Sequence, residues 1–188
     1  MINSKRENLL DTAERLFYSA GFHATGIDRV ITQAGVARMT LYNHFPSKEA
    51  LVEAVLARRY ERYLQDLRAA VDNAAPGEAV TALAQRHCRW LETTPGRGCI
   101  VLKAIAEYEQ DHPVIAEQGR RLKRELLAVI GDALERDRSR GDPKLAERLL
   151  MVLEGANALV PVLGAAAATE HLQGIIPAVL ATAQGAES

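Results

Sequence analysis

A short stretch near the start of the chain carries side chains suited to binding a polyanion. Residues 38–48 read RMTLYNHFPSK, which places two cations among several neutral hydrogen-bonding side chains. Arg38 is the first candidate for a base contact, because arginine can pair bidentately with guanine in the major groove of DNA. Thr40 and Met39 could touch a thymine methyl group. The chemistry that this stretch favours is recognition of nucleic acid.

Phosphate contacts are expected from the same stretch. Lys48 falls in the first turn of a predicted helix, where free backbone N–H groups and a cation together favour a phosphate. Tyr42 has an aromatic body that can pack on the motif and a hydroxyl that can reach the DNA backbone, and His44 can act there as a neutral donor. Two alternatives stay open: Met39 is simply exposed, and Asn43 faces solvent.

Two short helices are needed to position these residues. Thr25 is predicted to cap the first helix, with Asp28 completing a capping box, and Gly35 to end it in the left-handed conformation. A second short helix is predicted over about residues 37–45 and stops before Pro46. Two short helices around a glycine-containing turn are typical of a helix-turn-helix, whose second helix enters the major groove. An ordinary helical hairpin with a solvated face is the alternative.

A preceding helix completes a three-helix unit. Ser4 and Glu7 form a predicted capping box, so this helix begins near residue 5, and Gly21 ends it. Apolar residues repeat at helical spacing along one face, which should pack across both motif helices: Leu9, Ala13, Leu16, Phe17 and Ala20. Ser47 is expected to cap the fourth helix, which follows the motif.

These features resemble the N-terminal motif of the tetracycline-repressor (TetR) family of transcriptional regulators. The shared elements are Gly21-Phe22, Ala34-Gly35-Val36, Leu41-Tyr42-Asn43-His44-Phe45 and Ser47-Lys48-Glu49-Ala50-Leu51. The resemblance covers the first third of the chain and implies a DNA-binding regulator whose Thr25 hydroxyl lies near the DNA backbone. Ala37 stands where the family usually has Ser or Thr, and Met39-Thr40 replaces a common Gly-Thr, so one cap or phosphate contact at position 37 is in doubt. The predicted DNA-contacting set is Thr25, Arg38, Met39, Thr40, Tyr42, Asn43, His44 and Lys48.

Composition and charge fit such a regulator without requiring one. The chain has 188 residues and a formal net charge of −1, and this length is enough for one or two units with a real core. Residues 1–63 carry nine Lys or Arg against seven Asp or Glu, and the remainder 14 against 17. Two cysteines suggest no disulfide framework. The absence of a signal peptide and of any apolar run of membrane-spanning length predicts a cytoplasmic protein.

Periodicity predicts helices throughout, so the fold class is all-α with about nine helices. After the three-helix unit, the fourth helix runs from Ser47 to about Asn73. The other five are placed between Gly77 and Thr94, over about 99–109, from Pro113 to the charged run at 135–141, from Pro143 to about 168, and over about 170–184. The predicted domains are a helix-turn-helix unit over residues 1–46 and a helical effector-binding and dimerisation domain over 47–188, with the fourth helix as connector.

The resemblance implies that the C-terminal helices form a homodimer and enclose a pocket for a small-molecule effector. The eighth and ninth helices, rich in small and aliphatic residues, are predicted to form a four-helix interface; packing within one chain alone is the alternative. The pocket is expected between helices four to eight. Its candidates, each of which is more often a core residue, are Tyr60, Leu64, His87, Trp90, Leu102, Tyr108, Leu126, Leu153 and Asn157. Trp90 lies on the apolar face of the fifth helix and should be largely shielded from water.

Other classes of function have less support. No Gly-rich phosphate loop, nucleophile elbow or paired acid–base cluster indicates an enzyme. Neither His87 with Cys88 nor Cys99 with His112 matches a zinc spacing, and no cofactor is predicted. The sequence predicts a repressor that a small-molecule effector of unknown identity releases from a near-palindromic operator. The alternatives are a helical protein-interaction module and a redox-responsive regulator using Cys88 or Cys99, the latter suggested by Arg97 close to Cys99.

Overall fold

The described residues of the computed structural model form nine α-helices. The structure describes residues 4–93, 98–138 and 142–182. The helices are α1 (Lys5–Ala20), α2 (Ile27–Ala34), α3 (Arg38–His44), α4 (Lys48–Asp72), α5 (Ala79–Thr93), α6 (Ile100–Tyr108), α7 (Pro113–Arg138), α8 (Pro143–Leu163) and α9 (Ala165–Thr182). The predicted all-α class is confirmed. Residues 94–97 of the loop predicted over 94–98, the end of the charged run at 139–141 and the predicted end of the ninth helix at 183–184 lie outside the described residues.

Three predicted helix starts are confirmed by capping hydrogen bonds. The Ser4 hydroxyl accepts from the backbone N–H three residues later at 3.2 Å, and the Ser47 hydroxyl does the same at 3.0 Å. The Asp142 carboxylate accepts from the N–H three residues later at 3.0 Å. Each cap satisfies an N–H that has no partner inside its own helix, so α1, α4 and α8 begin where the sequence predicts.

The predicted cap of α2 is wrong. The N-cap residue is Gly26, and no side chain caps the helix. The Thr25 hydroxyl turns inward and donates to the Gly21 carbonyl at 2.7 Å, because the chain between α1 and α2 places this side chain in the core rather than over the start of α2. Asp28 therefore has no capping box to complete.

The end of α8 also differs from the prediction. Gly164 has a φ of +83° and follows Leu163, the last residue of α8. Glycine adopts a positive φ without the steric cost that other residues meet, so the chain can leave the α8 helix here. The alanines after Gly164 thus open α9 instead of closing α8, a distinction that helix propensity cannot make because alanine suits either position.

The helices are divided between two compact units. The first unit is built from the chain up to Tyr60 and from Ile100–Leu122, and the second from Glu61–Cys99 and from Lys123 onward. The division falls within α4 and within α7, so both helices contribute residues to both units. The predicted domain boundary after residue 46 stays a prediction.

In the first unit, α1 packs against both α2 and α3. Four of the five residues predicted for the apolar face of α1 are buried, together with inward-facing residues of the two motif helices: Leu9, Ala13, Leu16, Phe17, Val30, Leu41 and Phe45. The fifth, Ala20, is exposed at the end of the helix. Burying these side chains on one side leaves the opposite side of α3 to solvent.

In the second unit, α5 packs against α8 and α9, and α8 packs along α9. Leu91, Val160 and Ala168 are buried together between these three helices. None of the helices that the structure describes combines the length and apolarity needed to cross a bilayer.

Candidate nucleic-acid interface

The short helix α3 has one buried and one exposed side. Leu41 is completely buried and Phe45, just after the helix, is 3 % exposed. On the other side, Met39 is 68 % and Tyr42 38 % exposed. Two large side chains with apolar surface therefore face solvent, which is typical of a binding surface. Arg38, Asn43 and His44 are also exposed, and Thr40 and Lys48 are half-buried.

The turn before α3 fixes the angle between the two motif helices. Gly35 ends α2 with a φ of +63°, in the left-handed region, as the sequence predicts. Its N–H contacts the carbonyl oxygens of Ile31 and Thr32, which satisfies groups left open at the helix end. A residue with a Cβ would meet a steric cost in this conformation. Glycine is therefore favoured at this turn, which sets the direction in which the chain enters α3.

Arg38 is not isolated on that face. It is the first residue of α3, and its guanidinium forms an ion pair with the Asp28 carboxylate in the first turn of α2. The N-cap residue, Ala37, offers no capping side chain, as expected from its departure from the family pattern. The sequence spacing alone gives no sign that Asp28 and Arg38 meet.

Thr25 is the one predicted DNA contact that the structure hides. It is completely buried, and its hydroxyl donates to a backbone carbonyl of the turn. The contact between this hydroxyl and the DNA backbone would require the turn to open. It stays a prediction that the observed burial disfavours.

Arg6 lies closer to α3 than the sequence indicates. Its guanidinium stands 5.4 Å from the centre of the Phe45 ring, an arrangement in which the ring face attracts the cation. The side chain is 49 % exposed, so this contact positions a positive charge beside the end of the exposed helix. From the sequence, Lys5 and Arg6 near the start of α1 could equally reach a phosphate or form a solvated helix end, and the contact with Phe45 is seen only in the structure.

Two further arginines of the first unit form ion pairs between helices of the same chain. Arg58 on α4 forms ion pairs with Glu7, Asp11 and Glu14 of α1 at 2.8–3.1 Å, and Arg59 pairs with Glu14 at 2.6 Å. Burial works against the charge of Arg58, but the three carboxylates outweigh it and raise the pKa of the guanidinium. These arginines hold α1 to α4 and are not candidates for phosphate contacts.

A contact from α6 secures the turn between α1 and α2. The Glu107 carboxylate accepts from the backbone N–H groups of Phe22 and His23 at 3.0 and 2.9 Å. The next residue, Tyr108, packs its ring on Phe22 at 5.7 Å and on His23 at 4.9 Å. Burial, with the charges of Glu49 and Glu107, raises the pKa of the Tyr108 phenol to about 12. Tyr108, predicted as a ligand contact, therefore lies in the core of the first unit.

The predicted ligand contacts fall in both units. Tyr60, Leu102 and Tyr108 belong to the first. In the second unit the Tyr63 hydroxyl lies 2.7 Å from His87 Nδ1, and the rings of Tyr63 and Trp90 are 5.0 Å apart. Trp90 is half-buried rather than largely shielded. The six candidates in the second unit are Leu64, His87, Trp90, Leu126, Leu153 and Asn157.

A charged pair lies near His87 in the same unit. Lys123 and Glu154 form an ion pair at 2.7 Å, and their side chains are only 12 % and 13 % exposed. Burial lowers the pKa of His87 to about 4, since the charge of Glu154 and the Leu153 carbonyl do not outweigh desolvation. Within the described residues, His87 Nε2 and Glu154 Oε2 are buried without a well-formed hydrogen bond. Sequence analysis missed Lys123 and Glu154 because charged residues on long helices usually face solvent.

The two cysteines differ in environment. Cys88 is buried, and burial together with the charge of Glu92 raises the pKa of its thiol, which disfavours the reactive thiolate. Cys99 is partly exposed and lies beside Lys123. Although burial opposes the Lys123 charge, the Cys99 sulfur and the Glu154 carboxylate raise the pKa of the ammonium. A redox-responsive mechanism would therefore use Cys99, while Arg97, the neighbour that suggested it, lies outside the described residues.

The outer side of α8 and α9 exposes large apolar side chains. Val162 is 77 %, Met151 74 % and Ile175 45 % exposed. Leu159 and Leu163 line a groove of about 230 Å³ between the two helices, together with Ile175. Such a concentration of exposed apolar surface is typical of a protein interface.

No metal centre is found in the part of the chain that the structure describes. There, no three His, Cys, Asp or Glu residues lie close enough together to hold an ion.

The helices around the exposed face match a known protein family. Residues 9–55, which include α1, α2 and α3 almost entirely, match the family described as bacterial regulatory proteins, tetR family. The chain is 38 % identical over 69 residues to the HTH-type transcriptional activator FasR of Mycolicibacterium smegmatis, covering 37 % of this chain and 32 % of FasR. It is 35 % identical over 79 residues to the HTH-type transcriptional regulator RutR of Escherichia coli, covering 42 % and 37 %. These matches span about a third of each relative.

A structural likeness extends over nearly the whole chain. The structure of SCO4454, a TetR-family transcriptional regulator from Streptomyces coelicolor, superposes with a TM-score of 0.88. The two chains are 27 % identical, and the match covers 95 % of each. The likeness therefore extends over far more of the chain than the 69 and 79 residues matched by the two curated relatives.

Proposed function

We propose that the chain, which belongs to the tetR family of bacterial regulatory proteins, is a dimeric regulator of transcription that binds a specific DNA sequence. The observation that carries the proposal is the two-sided α3: Leu41 is fully buried, while Met39, Tyr42 and the polar residues around them face solvent. A helix held in this way by a helix-turn-helix can lie in the major groove with its exposed face against base edges.

Each exposed side chain has a distinct role in this proposal. Arg38 reads a guanine, and Met39 and Thr40 contact a neighbouring base or thymine methyl group. Tyr42 and Lys48 contact phosphates on either side of the groove, where Lys48 has the N-terminus of α4 beside it. His44, Asn43 and Arg6 add hydrogen bonds or charge at the end of α3. Base contacts specify the sequence, and phosphate contacts fix the position of the helix.

The homodimer forms through α8 and α9. Exposed Met151, Val162 and Ile175 support this interface, because two copies of the same apolar surface can cover each other around a two-fold axis. A dimer of helix-turn-helix units binds two half-sites one helical turn, or a multiple of it, apart. The operator is therefore nearly palindromic.

A small-molecule effector binds in the second unit, close to His87 and Trp90. Two buried polar atoms there, His87 Nε2 and Glu154 Oε2, have no well-formed hydrogen bond among the described residues, and a hydrogen bond made to such an atom contributes about 0.5–1.5 kcal/mol. A ligand that satisfies them would stabilise the state that it binds. The effector then shifts the population between two states of the dimer according to its difference in affinity for them. The chain acts as a repressor when the effector favours the state with weaker DNA binding.

Selection from a pool of random duplex DNA tests the proposal. Purified full-length protein should enrich one nearly palindromic site, and a duplex with that site should compete much better than a scrambled duplex. The DNA flanking the protein's own gene is a second target for a gel shift. Retention of all sequences alike, with no enriched site after several rounds, would contradict sequence-specific recognition.

A further inference from the structure

One ion pair joins the two helices of the DNA-binding motif on their exposed side. The Asp28 carboxylate in the first turn of α2 contacts the guanidinium of Arg38, the first residue of α3. The side chains are 77 % and 57 % exposed, and a solvated pair of this kind adds little to the stability of the fold. Its effect is therefore expected on the way in which Arg38 contacts DNA.

The geometry of the pair leaves Arg38 able to read a base. A guanidinium has five N–H donors on two edges, and the Asp28 contact uses the terminal nitrogen Nη2 through one carboxylate oxygen. The second N–H of Nη2, together with the N–H that points the same way on a neighbouring nitrogen, remains available for the O6 and N7 atoms of a guanine. A free arginine loses rotamer freedom when it binds, and a partner that holds it beforehand lowers that loss.

The charge of Asp28 also bears on DNA that lacks the guanine. The carboxylate lies on the same exposed surface as Arg38 and carries the sign of the phosphates. On any DNA, the Asp28–Arg38 pair and the Asp28 charge lose contact with water and face the phosphates. Only a guanine offers Arg38 a base contact that offsets this cost, so DNA that lacks the guanine is penalised.

We propose that Asp28 is a positioning residue that determines specificity: it holds the Arg38 guanidinium for one guanine in each half-site and weakens binding to DNA without that guanine. The inference rests on the proposed function, since it assigns a second residue to the base contact of Arg38. It predicts that Asp28 never touches the base and acts only through Arg38.

The test measures affinity for the selected operator and for the three single-base variants at the guanine position. In Asp28→Ala, the preference for guanine should fall by roughly threefold to tenfold per half-site, while affinity for non-cognate DNA rises. Asp28→Glu, which keeps the carboxylate, should recover part of the preference. In an Arg38→Ala background, Asp28→Ala should not change the base preference further. Glu117→Ala is the matched control, because it removes the same charge from another exposed site of the same unit and should leave the preference unchanged.

The contrary outcomes separate this inference from the proposed function. If Asp28→Ala raises affinity for every sequence by the same factor, Asp28 is only a repulsive charge and the inference is overturned. If Asp28→Ala lowers the preference in the Arg38→Ala background as well, it does not act through Arg38 and the inference is also overturned. If the wild-type protein shows no base preference at any position, the proposed function itself fails. Circular dichroism of each variant verifies that the fold is retained.

Discussion

His23 is joined to Glu107 by two hydrogen bonds. The backbone N–H of His23 donates to Glu107 Oε2 at 2.9 Å, and the imidazole Nε2 lies 2.7 Å from the Glu107 carbonyl oxygen. The carboxylate also accepts from the N–H of Phe22. These bonds tie the turn between α1 and α2 to α6, so a change in α6 has a direct route to the first motif helix.

Removing the Glu107 carboxylate should loosen this turn. Glu107→Ala leaves two backbone N–H groups without their charged acceptor, and we expect the free energy of unfolding to fall by about 1–3 kcal/mol. Amide hydrogen exchange at Phe22 and His23 should accelerate, and operator affinity should fall with it. Glu109→Ala is the control, because its carboxylate is 53 % exposed and pairs with Arg120 at the surface of the same unit. Unchanged exchange at both amides in Glu107→Ala would show that the turn is held by other contacts.

Stability should depend on pH through His87. Its pKa is lowered from 6.5 to about 4 in the folded chain, so between these values the unfolded chain holds more protons than the folded chain. The stability linked to the neutral His87 is fully present above pH 6.5 and is lost as the pH falls towards 4. It amounts to about 3 kcal/mol at most.

Urea titrations between pH 4 and pH 7.5 check this dependence. The pH slope of the unfolding free energy should be smaller in His87→Gln, which has no imidazole to protonate. His44→Gln, at an exposed histidine, is the matched substitution for comparison. An identical slope in wild type and His87→Gln would mean that other groups cause the acid sensitivity.

The dimer should depend on the apolar side of α8. Val162 is 77 % exposed, and a carboxylate there would be desolvated without a partner in a closed interface. Val162→Glu should therefore weaken dimerisation by about tenfold or more, equivalent to about 1.4 kcal/mol. Sedimentation equilibrium measures this directly. Val114→Glu makes the same change at a residue that is 69 % exposed on α7, and it should leave the dimer intact. Equal dissociation of both variants, or of neither, would speak against α8 as the interface.

Trp90 should report effector binding. Its indole is half-buried and contacts the Tyr63 ring, so a ligand near His87 would change its fluorescence. Trp90→Phe should reduce the response to a compound that releases the operator, while affinity for the operator and the melting temperature stay close to wild type. If Trp90 is instead a core residue, truncation to alanine costs about 3–5 kcal/mol and both activities fall together. A stable Trp90→Phe variant with a normal response would remove Trp90 from the effector site.

Local signals allowed much of the fold to be predicted from sequence. Ser4 and Ser47 mark helix starts because a hydroxyl can satisfy a free N–H at that position, and Gly35 marks a helix end because of its left-handed conformation. Thr25 has the same local chemistry as Ser4, yet its hydroxyl is buried and binds a carbonyl of the preceding turn. Whether such a hydroxyl caps a helix or is buried against a carbonyl depends on tertiary packing, which a short stretch of sequence does not specify.

The candidate site was predictable to a similar degree. The exposed side of α3 follows from helical spacing, since Leu41 and Phe45 must face the core together. The Asp28–Arg38 pair, the Glu107 contact and the Lys123–Glu154 pair join residues on different helices or turns. Their sequence separation carries no periodic signal, so only the folded chain shows that they meet.

The most direct test of DNA reading by α3 compares two alanine variants on the selected operator and its single-base variants. Arg38→Ala should cost about 1–3 kcal/mol per half-site at one base position and relax the preference there. Lys48→Ala should weaken binding to all sequences alike and reduce the slope of log affinity against log salt concentration by about one for each phosphate that Lys48 neutralises. Fluorescence anisotropy at several salt concentrations gives both quantities. If Arg38→Ala ranks every operator variant in the wild-type order, α3 does not read the sequence through Arg38.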